Sequence, residues 1–194
     1  MMNARARCSV LAVPLLAALG CSDPVPLPAQ GAISLSVQKP STSINGSNCP
    51  DSGTTYQVGA PGVPTQQSFG DSLIDGDQGS HISCSVKGSG TTFAFSGSFQ
   101  ATTSVGDPLP ITVTFSNGTI TDGKGTAAVS VFTPKLAGTF ASAAGSDCTI
   151  QVIGGQIANG HVWATFSCAG ITAPPSGLCA VGTSVIVFEN CDGS

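Results

Sequence analysis

The stretch Ile111-Thr112-Val113-Thr114-Phe115-Ser116-Asn117-Gly118-Thr119-Ile120-Thr121-Asp122-Gly123-Lys124-Gly125 carries the fold class. Ile111, Val113 and Phe115 alternate with hydroxyl residues, the period of a strand with one buried and one wet face. Asn117-Gly118 closes this run as a hairpin signal, because both residues tolerate the positive φ that a tight primed turn requires. Asp122-Gly123 repeats the signal between Thr119–Thr121 and Thr126–Phe132, so two successive hairpins are expected here.

The same alternation recurs on both sides. Ile33, Leu35 and Val37 alternate with Ser34 and Ser36, and a short strand is expected over Thr54–Val58. Ile82, Cys84 and Val86 precede Gly88-Ser89-Gly90, after which Phe93, Phe95 and Phe99 continue the pattern. Cys148, Ile150 and Val152 face Val162, Ala164, Phe166 and Cys168 across a Gly/Asn turn, and Cys179 to Val187 alternate once more. Nine or ten short strands with Gly, Asn and Asp turns, and no helical period after residue 21, predict an all-β fold. The expected architecture is a single antiparallel β-sandwich or jelly-roll-like domain over residues 31–194. Gly59 to Gly79 is expected to form a long irregular loop.

The chain begins with a different composition. Met1 to Arg7 carries Arg5 and Arg7, and Cys8 to Leu19 is uncharged and apolar. That run is shorter than the roughly 20 residues that span a bilayer, and with small residues before a cut it has the form of a secretory signal peptide. Ala18-Leu19-Gly20-Cys21 resembles the lipobox of bacterial lipoproteins, in which signal cleavage leaves a lipidated cysteine at the new N-terminus. The resemblance implies a signal peptide over residues 1–20, lipidation of Cys21 and attachment to a membrane of the cell envelope. Ser22, rather than Asp, follows the cysteine, which in such lipoproteins slightly favours the outer membrane. Residues 21–30 contain Pro24, Pro26 and Pro28 and form an extended tether.

Beyond residue 20 the cysteines other than Cys21 are Cys49, Cys84, Cys148, Cys168, Cys179 and Cys191. Six cysteines in an exported domain predict up to three disulfides and an oxidising compartment. A strand between Cys179 and Cys191 would hold them roughly 35 Å apart at about 3.3 Å per residue, which disfavours that pair. Cys148–Cys168 and Cys168–Cys179 are both within easy reach and exclude one another. No C-x-x-C pair occurs, which argues against zinc.

Without its leader the chain has Lys39, Lys87, Lys124 and Lys135 against ten acids, a net charge of 4 − 10 = −6, and no arginine. Nucleic acids and anionic surfaces are bound through basic side chains, so neither is an expected partner. A polysaccharide or an envelope protein is.

Three stretches invite chemical readings. Gly70-Asp71-Ser72-Leu73 resembles the nucleophile block of the GDSL hydrolases, which would make Ser72 an ester-attacking nucleophile. That family's D-x-x-H block is missing, since His81 follows Gln78 and His161 follows Ala158 at the required spacing, and its α/β fold disagrees with the strand pattern. Asp75-Gly76-Asp77-Gln78-Gly79, with Asp71, resembles half of a calcium loop, but the closing Glu is replaced by Val86. Calcium at Asp71, Asp75 and Asp77 is therefore the one cofactor considered, against an expectation of none. Last, if Val162, Ala164 and Phe166 point inward, His161, Trp163 and Thr165 point outward. Trp163, the single Trp, could there stack on a sugar ring, although a Trp so placed is more often covered by a neighbouring loop or second sheet. The reading that results is a non-catalytic, lipid-anchored envelope protein with a structural or interaction role, with a carbohydrate- or cell-wall-binding module as the alternative and an esterase behind it.

Overall fold

The computed structural model describes residues 26–41, 48–61, 72–102, 110–143, 148–173 and 177–192. Eleven strands occupy them. In chain order they are β1 Gln30–Gln38, β2 Thr54–Val58, β3 Leu73–Ile74, β4 His81–Ser89, β5 Thr92–Ala101 and β6 Ile111–Thr121. They continue with β7 Lys124–Phe132, β8 Phe140–Ser142, β9 Cys148–Ala158, β10 His161–Ala173 and β11 Gly177–Glu189. A single 3-10 turn, Asp77–Gly79, lies between β3 and β4. The expected all-β architecture is what the chain adopts.

All the strands belong to one antiparallel sheet in the order β2-β1-β11-β10-β8-β7-β6-β5-β4, with β9 bridging β10 and β7, and β3 beside β1. The sheet curls over so that its two halves pack face to face. Phe115 of β6 meets Phe166 of β10 edge-on at 5.0 Å and Phe188 of β11 at 6.1 Å. Ile33, Leu35, Val37, Val86, Phe95, Phe99, Val113 and Val129 fill the same core, all buried. The residues that alternate inward in the sequence are therefore those that exclude water, which is the main driving force for closing the sheet.

One local expectation is corrected. Asn117-Gly118 does not turn the chain: β6 runs through it to Thr121, and Asp122-Gly123 alone makes the hairpin to β7. The register shifts between Ser116 and Thr119, so the two residues form a bulge with Asn117 at φ 52°. Packing explains the outcome. A Cβ on Gly118 would lie 2.3 Å from the Phe95 ring, so glycine is there to let Phe95 of the next strand cross the backbone. The positive-φ tolerance read as a turn serves a bulge instead.

Three disulfides join Cys49 to Cys179, Cys84 to Cys191 and Cys148 to Cys168. The disfavoured Cys179–Cys191 pair is not formed, and of the two exclusive local pairs Cys148–Cys168 is the one present. It staples the neighbouring strands β9 and β10. The other two clamp β11 near both its ends, each beside an isolated parallel bridge, Asn48 with Gly177 and Ser85 with Asp192.

The β4 edge is covered, which removes the template an open strand offers to another chain. Along β4, the Val86 N–H donates to Asp192 O and the Asp192 N–H to Cys84 O, while the Gly160 N–H donates to Val86 O. Beside the other end of the sheet, at β2, lies a buried polar cluster. Asp51, 1% exposed, accepts from the Tyr56 hydroxyl on both carboxylate oxygens, at 3.0 and 2.9 Å, and from the Thr133 hydroxyl. Lys135 Nζ also donates to Thr54 Oγ1. The turn before β2 is thereby tied to the end of β7. Asp51→Ala is expected to cost about 2–4 kcal/mol, because two buried hydroxyls lose a charged acceptor. Denaturant unfolding checks it; a change under about 0.5 kcal/mol, the size of an ordinary surface substitution, would show the cluster to be incidental.

Candidate functional site

The outward face of β10 and its neighbours gathers the polar side chains that the sequence singles out. His161, Trp163 and Thr165 do share that face, since Val162, Ala164 and Phe166 belong to the main core while Trp163 packs in a separate cluster. Register sets each in a cross-strand row. Gln30 pairs with Glu189, which lies across from His161. Two residues along, Ala32 pairs with Val187 and Val187 with Trp163. Two further, Thr165 pairs with Gln151, which pairs with Lys124.

Trp163 points outward as the alternation predicts, but it is covered and cannot stack on a sugar: it is 0% exposed. Its row is apolar, Ala32 and Val187, and Ile153 joins it. Ile153 can reach it because β9 bulges opposite Trp163. Pairing with β10 jumps from Ala164↔Val152 to Val162↔Ile157, and Gly154 and Gly155 take the positive φ angles of 57° and 73° that this detour needs. Trp163 is therefore a packing residue on the outer face, with a polar position on each side of it.

On one side His161 and Glu189 are 22% and 26% exposed, with Nδ1 3.7 Å from Oε1. Gln30, Asn159, Gly160, Asn190 and Cys191 complete a hollow of about 390 Å³. Burial holds the His161 imidazole below its ordinary pKa of 6.5, and Glu189 opposes that shift. The folded protein thus resists a proton that the unfolded chain accepts. The stability this contributes is full above pH 6.5 and is lost as pH falls below it towards the folded-state value. An NMR titration should give His161 a midpoint under 6.5, and His161→Gln should flatten the stability profile on the acid side of that value. A midpoint at or above 6.5 would mean that Glu189 outweighs burial.

On the other side Lys124, Thr149, Gln151, Thr165, Ser167 and Thr183 line a trough of about 440 Å³. Thr149 pairs with Thr126 on β7 and with Ser167 on β10. Thr149 Oγ1 and Ser167 Oγ lie 2.9 Å apart. This surface is made of hydroxyls and amides with a single cation, because the outward residues that line the trough on these strands are Thr, Ser, Gln and Lys.

The remaining candidates are not brought together. Asp71, like Gly70, lies outside the described residues, as does Cys21 with the whole leader. Asp75 Oδ1 accepts from the Ile82 N–H at 2.7 Å, which anchors the start of β4. The Asp77 carbonyl accepts from the Ser80 N–H. Both acids are exposed, and the local hydrogen bonds account for their place in a Gly-rich turn. Among the described residues no three His, Cys, Asp or Glu side chains cluster as a metal site. The sequence reading missed the Asp51–Tyr56–Thr133 cluster; its one clue was that Asp51 follows Cys49, which a disulfide would draw inward. No described helix is long and apolar enough to cross a membrane.

The fold and its outer face define a disulfide-stapled, all-β domain built for an oxidising compartment. Comparison of the chain with models of known families, with curated proteins and with solved structures finds no match.

Proposed function

We propose that this chain is an exported envelope lipoprotein, anchored through a lipid on Cys21, whose β-domain has a non-catalytic interaction role. The observation that carries the interaction half is the outer face of β7, β9, β10 and β11. Thr126, Thr149, Ser167, Gln151 and Thr165 form adjoining cross-strand pairs across it, a broad, weakly charged surface held rigid by Cys148–Cys168 and by the β11 clamps. Rigid elements fix polar groups for recognition without the entropy that mobile loops lose on binding. The anchoring half rests on the Ala18-Leu19-Gly20-Cys21 segment, and the three disulfides support export.

The test is made in a bacterial host with the full chain. Fatty-acid label should enter the protein and vanish with Cys21→Ser, which should also leave the envelope fraction. Label retained by Cys21→Ser would overturn the anchor. A photocrosslinker at position 149 or 165 should capture an envelope component that one at position 77, on the exposed turn before β4, does not. Equal capture at all three positions would overturn the outer face as the contact surface.

A further inference from the structure

We infer that the hollow bounded by Gln30, Asn159, His161, Glu189 and Asn190 is a binding site for a neutral polyhydroxyl ligand, one sugar ring of a glycan. The inference goes beyond the lipoprotein reading and stands without the anchor.

Two asparagines present polar groups to the hollow. The Asn159 carboxamide accepts through Oδ1 from the Gly88 N–H at 2.8 Å, and that of Asn190 donates through Nδ2 to Pro28 O at 3.3 Å. Each amide is thus fixed at one end by backbone, which leaves Asn159 its Nδ2 donor and Asn190 its Oδ1 acceptor. Glu189 adds a charged acceptor, and Gln30 adds an amide with both functions. Donors and acceptors together match hydroxyl groups, each of which gives one hydrogen bond and takes others.

The lining also selects against other classes. No Lys or Arg lines the hollow and a carboxylate does, which disfavours anions. A single carboxylate among neutral amides gives little of the ligand charge on which tight binding of a hard cation depends. The lining lacks the hydrophobic and aromatic side chains that usually dominate small-molecule pockets, so an apolar ligand gains little there. A volume of about 390 Å³ admits a sugar ring with its neighbours extending into solvent. The positions are rigid: the β9–β10 turn at Asn159-Gly160 and the segment at Asn190–Cys191 are bound to β4 and to each other, the Cys191 N–H donating to Gly160 O at 2.9 Å.

The test uses the full chain with Cys21→Ser, ¹⁵N-labelled, titrated separately with tetramers of glucose and of N-acetylglucosamine and with glucose 6-phosphate. At least one neutral tetramer should move the amide signals of Gly160, His161 and Asn190, with the phosphate weaker. Glu189→Gln should weaken that binding about tenfold, the loss of one charge-assisted hydrogen bond. Gln30→Ala should weaken it less while leaving the spectrum folded. No shift with either tetramer at tens of millimolar would overturn the inference. So would shifts confined to Thr149, Thr165 and Ser167, or affinity unchanged in both variants.

Discussion

Replacing Cys84 and Cys191 together by serine is expected to lower stability by about 4 kcal/mol and to make the protein self-associate through β4. The first number follows from chain entropy. The bridge spans 107 residues of sequence, but Cys49–Cys179 remains and shortens the loop it closes; restricting a loop of about 50 residues in the unfolded chain stabilises the fold by roughly 4 kcal/mol. The second follows from what the bridge holds. β4 ends the sheet, and its outer edge is covered by the segment at Asp192 and by the β9–β10 turn, through bonds at Val86, Cys84 and Gly88. Isolated parallel pairing of so few residues is weak support, so without the cross-link the segment should detach and free the Cys84 carbonyl and the Val86 N–H. Unpaired strand edges recruit other chains. Denaturant unfolding measures the first effect. Light scattering over a concentration series measures the second, with hydrogen exchange at the Val86 amide, which the segment holds, compared with the Gly88 amide, which Asn159 holds. Serine at Cys148 and Cys168 supplies the contrast. That loop spans 20 residues between strands already paired, so about 3 kcal/mol should go with no gain in self-association. Equal behaviour of the two double variants would mean that Cys84–Cys191 is not what seals the sheet.

Why this bridge was not legible in the sequence is instructive. Alternation at Ile33–Val37, Ile82–Val86 and Val162–Cys168 reports only which side chains face inward, and it did so correctly because burial imposes the period of two. Pairing between strands far apart in the chain leaves no such local mark. Distance along the sequence could rank Cys148–Cys168 as reachable and reject Cys179–Cys191, but it could not say that Cys84 lies beside Cys191. That juxtaposition depends on the sheet curling until β4 meets the end of β11. The same limit explains Asn117-Gly118. Its dihedral preference was legible; whether that preference makes a turn or a bulge was decided by Phe95, on a strand whose register the sequence does not state. The candidate site divides similarly. His161 and Thr165 were placed on the right face, whereas Gln30, Asn159, Glu189 and Asn190, from three other segments, assemble beside His161 only through the register of β1, β10 and β11.

Trp163→Ala is expected to cost about 3–5 kcal/mol, the range for removing a fully buried large aromatic, and to leave glycan binding at the His161 hollow within a few-fold of the parent. The alternation that put Trp163 outward suggested a ring free to stack on a sugar, and such a ring would show the reverse pattern, with binding lost and stability kept. Position on a sheet face does not decide between these outcomes; coverage does. Here the four residues Ile153 to Gln156 depart from the β9–β10 ladder, Ile153 packs with Trp163, and Ala32 and Val187 flank it across the strands. Removing the indole leaves a cavity bounded by paired backbone on three strands, which can collapse little, so the cost should fall in the upper part of the range. Being the single Trp, it reports on itself. Its native emission should be that of a buried indole, insensitive to acrylamide and unmoved by sugar, and should shift to long wavelength only as the sheet unfolds. Trp163→Phe, which refills most of the volume, should recover more than half of the lost stability. Emission quenched by acrylamide in the native protein, or an alanine variant as stable as the parent, would return Trp163 to the surface and with it the reading of the ring as a sugar platform.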